Sequence, residues 1–174
     1  NKKKIKKLLI NNLKPIYKIK KITDNDLNNY LDARNLPSNR VASTKESKIT
    51  NLDHYLWWLN NKRNSFVLLK SNEKILYLYD EILLFNNKRY SIQGWFKTSS
   101  KITLFDVLYA LRWQKKNIEN KKNIHLSLGI IKNNNPINLS KYFGWKKLDN
   151  KSLEVIKLKN FYGINESEYS FYIR

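Results

Sequence analysis

Asp80 and Glu81 interrupt the otherwise apolar run Lys74–Phe85, KILYLYDEILLF. A charge inside such a strand is costly unless it is paired or exposed. Two readings are therefore open: a proton-accepting carboxylate, or a structural charge explained by an edge strand or by a salt bridge to Arg89. His54 is a second proton carrier, with an intrinsic pKa near neutrality; otherwise it is a helix residue hydrogen-bonded to the preceding loop. His125 falls in a buried-looking strand and reads as structural. The chain has no Cys, so it offers neither a thiolate nucleophile nor a thiolate metal site. Two isolated His and carboxylates at no recognised ligand spacing argue against a metal centre.

The elements that must position these groups are outlined by periodicity. Ile16–Thr23 alternates apolar and basic residues as a half-exposed strand does. Thr23 or Asp24 caps a short helix through Ala33 that carries Leu27, Tyr30 and Leu31 on one face. A polar segment with Pro37 follows. A second helix then starts near Thr50–Asn51, with Leu52, Tyr55, Leu56 and Leu59 at helical spacing. Ser65–Ser71, Lys74–Phe85 and Lys88–Lys97 read as strands joined by short polar turns. The clearest helix is Thr103–Ile118, where Thr103 and Asp106 form a capping box. Ile124–Lys132 is again a strand, and Asn135–Pro136 opens a short helix ending at Gly144. Glu154–Phe161 and Glu168–Ile173 are the last predicted strands. The order β-α-α-β-β-β-α-β-α-β implies an α/β fold, a mixed, mostly antiparallel sheet with helices on both faces. Within it, Lys88–Lys97, the long helix and Ile124–Lys132 form a βαβ unit. Such units bind ligands at the C-terminal ends of their parallel strands. The working cleft is thus expected where Lys88–Lys97 runs into Thr103–Ile118.

A length of 174 residues fits one domain, read as 15–174 behind a basic lead-in or linker at 1–14. Because the chain begins at Asn1 and contains no Met, it reads as a piece that follows, or is fused to, something upstream. Aromatic residues at 13% argue for a packed core rather than a disordered polycation. No apolar run approaches the roughly 18–20 residues that would cross a bilayer, and the absence of Cys suits a cytoplasmic setting. The net charge of +20 invites a nucleic-acid partner. Only six of its 34 basic residues are Arg, however, and Lys is accompanied by abundant Asn, Ile, Leu and Tyr, the amino acids of AT-rich codons. Base readout favours Arg, so the charge is taken as largely compositional, favouring an anionic ligand over nucleic acid.

Three local patterns in this element order carry a resemblance. They are Arg34–Asn35 with Arg40, Ser43, Ile49, His54 and Trp57; Gly94–Trp95–Phe96 closing a strand before the long helix; and Asn135 nine residues before Gly144–Trp145. Together they resemble the GNAT family of N-acetyltransferases over roughly Ile16 to Leu148. The first pattern is closest to members that acetylate amino-sugar nucleotides or protein N-termini. The resemblance implies acetyl-CoA as co-substrate, no metal, and direct attack of a primary amine on the thioester. It places cofactor binding at Trp95, Phe96, Lys97, Thr98, Ser99, Ser100, Lys101, Thr103 and Asn135. It places amine binding at Asn35, Arg40 and Trp57. The mechanism it implies needs a base, for which Glu81 and His54 are the candidates read from the residues, and a proton donor, for which Tyr142 stands nearest the family's position. The family's pyrophosphate loop carries glycines, and Lys97–Thr103 has none; its free helix N–H groups, hydroxyls and Lys101 would substitute. Where many members carry a proton-donating Tyr, this chain has Ser140, with Tyr142 two positions on. The expected substrate is a nucleotide-linked amino sugar, with a protein N-terminal amine as the alternative. A ribosomal-type nucleic-acid module and a degenerate CoA-binding domain stand as rivals from other classes.

Overall fold

The computed structural model describes residues 16–61, 63–85, 87–99, 101–121, 126–132, 143–164 and 168–174. The lead-in 1–14, Ser100, His125, and the expected Asn135 helix with Ser140 and Tyr142 lie outside them. Among the described residues the strands are β1 (Tyr17–Lys21), β2 (Asn64–Lys70), β3 (Glu73–Phe85), β4 (Lys88–Lys97), β5 (Leu126–Lys132), β6 (Lys146–Lys147) and β7 (Tyr169–Ile173). The helices are α1 (Leu27–Asn35), α2 (Pro37–Val41), α3 (Asn51–Asn60), α4 (Leu104–Glu119) and α5 (Leu153–Tyr162). The sheet runs β1-β2-β3-β4-β5-β7-β6. Every pair in it is antiparallel except β4–β5.

Strand alternation sorts the core into two layers. On β2 and β3, Leu68, Leu76 and Leu78 face Ala110, Tyr109 and Trp113 of α4. Val67, Tyr77 and, on β4, Phe96 face the opposite way, onto Tyr30 and Ala33 of α1. Further along that second face, Tyr90, Ile92, Leu128 and Phe171 pack against Val155 and Leu158 of α5. Helices therefore cover both faces. Fully burying one such apolar side chain contributes roughly 1.5–3 kcal/mol, so these layers hold the sheet that positions the cleft.

Two helices and the short strand β6 differ from expectation. Glu154–Phe161 is helical, within α5. Ser152 caps it by accepting from Val155 N–H at 3.4 Å, and Gly163 closes it in the left-handed region at φ 61°. Val155 and Leu158, three apart, supply the buried stripe; read as a strand, the same run looks merely mixed. The segment at Pro37 forms the single-turn-and-a-half helix α2, with Pro in its first turn. Thr103 caps α4 as expected, with Asp106 returning the bond. No helix among the described residues is long and apolar enough to cross a membrane.

Candidate active site

The parallel strands β4 and β5 pair at Tyr90–Leu126, Ser91–Ser127 and Ile92–Leu128, and no further. Five more residues of β4 and four of β5 continue beyond the last pair, so the two strands part into a wedge open at their C-terminal ends. Lys97 turns its main chain away from β3: its N–H donates to Asn39 Oδ1 at 3.2 Å and its carbonyl accepts from Asn39 Nδ2 at 2.7 Å. By the two-residue period of a strand, Trp95 presents its main-chain groups to the same edge, the one β5 has left.

On the α1 face of the wedge, the phenol of Tyr79 lies across β4. A Cβ on Gly94 would overlap the tip of the Tyr79 ring, so only glycine admits the ring there. Arg63 stacks on the other side of this assembly, 4.1 Å from the Tyr79 ring centroid and 5.5 Å from that of Trp57. Its Nη2 donates to Glu81 Oε2 at 2.8 Å. Burial opposes the Arg63 charge, but Tyr79, Tyr30 and Glu81 outweigh it and hold the guanidinium above its usual pKa. Tyr162 of α5 reaches the same cluster. Burial, with Glu81 and Tyr79 nearby, pushes its phenol up. In register, Glu81 stands beside Ile92, the last paired residue, and Tyr79 beside Gly94, just past the split. A carboxylate and a phenol thus bracket the apex of the wedge.

On the α4 face, Arg174 Nη2 donates to Gln93 Oε1 at 3.1 Å, and Gln93 Nε2 donates to the Gln114 carbonyl at 3.2 Å. Arg174 also lies 4.7 Å over the Trp145 ring. That ring packs on Gly129 of β5.

Solved structures share the fold. A ribosomal-protein-alanine N-acetyltransferase from Brucella melitensis superposes with a TM-score of 0.66 at 15% identity, over 90% of this chain and 98% of that one. An aminoglycoside acetyltransferase bound to coenzyme A and kanamycin gives 0.68 at 8% identity, over 91% and 94%. A domain from Methanocaldococcus jannaschii gives 0.62 at 22% identity, over 91% and 97%. This is the N-acetyltransferase fold. No protein-family model matches the chain, and no curated protein sequence does.

Within that fold, the residues singled out from sequence divide. Glu81 is at the wedge, but on a central strand and paired with Arg63, not with Arg89 on an edge. Asp80 points to the α4 face and pairs with Lys121 at 2.5 Å. His54 is 2% exposed, with its Nε2 on the Leu27 carbonyl at 3.0 Å, and burial lowers its pKa. It is a neutral packing residue stacked on Trp57, away from solvent. Asn35 is spent on a reciprocal pair with the main chain of Ile49, at 2.9 Å each way. Arg40 donates to the Glu46 carbonyl at 3.1 Å. Trp57 lines the Arg63 side of the cluster.

Of the cofactor candidates, Trp95 is 39% exposed on the α4 face, beside the wedge. The side chain of Phe96 is core, 4.7 Å from the Tyr30 ring. Lys97 is held by Asn39. Thr98 Oγ1 is tied to the Lys74 carbonyl at 2.6 Å. Ser99 accepts from Lys101 N–H at 3.3 Å, and Thr103 is the cap of α4. Ser100, Asn135 and Tyr142 lie outside the described residues. Tyr79, Arg63 and Tyr162 were missed from sequence. The available signal was Gly94, a glycine in mid-strand that marks a close approach.

The donor set suits a pantetheine-type chain on one side of the wedge, where the main chain of Trp95 and the Gln93–Arg174 network meet. For a pyrophosphate, the α4 terminus offers the N–H groups of Leu104 and Phe105 with Lys101 adjacent. The Thr103 N–H is already taken by Asp106 at 2.7 Å. Among the described residues, no group of three His, Cys, Asp or Glu could hold a metal.

Proposed function

We propose that this chain is an acetyl-CoA-dependent N-acetyltransferase acting on a primary amine. The observation that carries the reading is the parting of β4 from β5 after Ile92–Leu128, with Glu81 and Tyr79 bracketing the apex. Acetyl-CoA supplies the activated acetyl group as a thioester. Trp95 offers a main-chain N–H to a carbonyl oxygen in the wedge, a fixed donor that strengthens as negative charge develops there. Lys101 and the first turn of α4 serve the anionic end of the carrier. Glu81, with Oε2 held by Arg63, keeps Oε1 to accept a proton from the incoming ammonium. The Tyr79 hydroxyl, set over Gly94, donates a proton to the departing sulfur. For the acceptor, the Arg34–Trp57 pattern supports a nucleotide-linked amino sugar first, and the relatives' range of acceptors keeps a protein N-terminal amine as the alternative.

Isothermal titration of the purified chain with acetyl-CoA should give saturable binding that Lys101→Glu weakens. CoA release on adding a primary amine should fall by about 100-fold or more in Glu81→Gln, with the thermal melt retained. No binding at millimolar acetyl-CoA would sink the reading.

A further inference from the structure

Arg63 and Arg34 lie within electrostatic reach of each other on the α1 face, and Arg40 shares the 45–46 loop with Arg34; among the described residues only Arg63 of the three pairs with a carboxylate. Arg63 takes Glu81. The nearby acid Glu46 takes Lys132, Asp24 takes the Trp58 indole and Asp26 takes Lys74. Among the described residues Arg34, on α1, is left with one long bond, Nη2 to the Lys45 carbonyl at 3.4 Å. Its Nη1 is buried and makes no hydrogen bond, and the same is true of Arg40 Nε. Both side chains are tied to carbonyls of the loop at 45–46. That loop is itself fixed over the mouth of the wedge: Tyr169 donates to the Ser43 carbonyl at 3.1 Å, and Ser43 donates to the Asn39 carbonyl at 2.6 Å. Asn39 in turn holds the end of β4.

Arg34 is half-buried, and enclosing one of its guanidinium nitrogens without a hydrogen bond is costly, since that part of the desolvation is uncompensated. Burial lowers the Arg34 pKa, and Tyr79 and Arg63 are close enough to act on it electrostatically. Arg34 thus lies within electrostatic reach of the phenol that overlies Gly94, and outside the enclosed Nη1 its guanidinium is held only by the long bond to the Lys45 carbonyl. A planar fork of N–H donors matches a carboxylate or a phosphate in bidentate fashion.

Resting on the transferase reading above, we propose that Arg34 is a specificity residue: the amine substrate carries an acidic group, carboxylate or phosphate, that docks on the free edge of its guanidinium. Arg40 adds a second positive charge at the rim of that subsite.

The test uses matched amines at saturating acetyl-CoA: glucosamine 6-phosphate against glucosamine, and an aspartyl against an asparaginyl N-terminal peptide. The anionic member of at least one pair should have kcat/KM higher by about tenfold or more. Arg34→Gln should abolish that preference, and Arg34→Lys should restore part of it. An equal rate for both members of each pair, or a preference that survives Arg34→Gln, overturns the proposal. Which pair responds distinguishes phosphate from carboxylate. If no amine releases CoA, the transferase reading fails separately. Titration of pyrophosphate and of malonate, at saturating CoA, then decides: binding lost in Arg34→Gln sustains the anion subsite, and binding unchanged or absent overturns it.

Discussion

At the start of α4, Asp106 is 1% exposed and accepts from the Tyr17 hydroxyl, from Lys70 at 3.0 Å and from the N–H of Thr103 at 2.7 Å. On the other face of the sheet, Arg34 has one bond of 3.4 Å and a buried nitrogen with none. Asp106 is withdrawn from water over β1 and β2, and Arg34 is partly withdrawn on the opposite face of the sheet. The chain surrounds the first with its own donors and leaves the second open. A buried charge that its own fold saturates is there for the fold, because each partner would be orphaned by its loss. A charge the fold fails to saturate implies a partner from outside. The contrast also explains the glycine-free loop. Its cap residues already serve Asp106, so an anion at this terminus has fewer N–H groups to use than one cradled by glycines.

The largest expected effect follows from breaking the saturated side. Asp106→Ala strands the Tyr17 hydroxyl and the Thr103 N–H and removes the ion pair to Lys70, and should cost about 3 kcal/mol or more in denaturant unfolding. A loss under about 1 kcal/mol would mean that saturation does not identify a structural charge here.

Gly94→Ala sharpens the comparison at the wedge itself. The added Cβ meets only the far end of the Tyr79 ring, so the ring tip swings away while the backbone stays. The stability cost should be about 1 kcal/mol, at the low end for overpacking. CoA release should fall more steeply than stability does, because the hydroxyl leaves the apex. Equal thermal melts with equal rates would remove Tyr79 from the chemistry.

How much of this was readable in advance depends on the range of the interaction. The β4 strand, the Thr103–Asp106 box and the helix from Thr50 were legible because they are decided within four residues. Glu81 was legible as an anomaly, a charge in an apolar run, but its partner was not. Arg63 reaches it across β2 and β3, whose register fixes who stands beside whom. His54 and Asn35 looked like chemistry because their types are versatile; only the fold shows that the Leu27 carbonyl and Ile49 main chain consume them. The α5 helix was misread because its buried stripe is only two residues wide. The openness of Arg34 is a property of what is missing around it, which no local pattern encodes.

Acid should erode the saturated charge in a defined way. Burial pushes Asp106 up, but hydrogen bonds from Tyr17, Thr103 and Lys70 outweigh it and hold the carboxyl below its usual value. A carboxylate with a depressed folded pKa stabilises the fold above its unfolded value near 4. That contribution disappears as pH falls through the folded value. The stability gap between wild type and Asp106→Asn should therefore be constant at neutral pH and close below about pH 4. A gap independent of pH would show that the carboxylate's charge contributes nothing.

The smallest expected effect is the most discriminating. Arg34→Gln removes a half-buried charge whose one bond among the described residues is long, so the fold loses one weak contact and sheds part of an uncompensated desolvation cost. The two nearly cancel, and the unfolding free energy should stay within about 0.5 kcal/mol of wild type or rise. A charge kept at no benefit to stability is what a ligand-facing residue looks like. If Arg34→Gln instead costs as much as Asp106→Ala, then Arg34 is structural after all, and the two faces of the sheet are built alike.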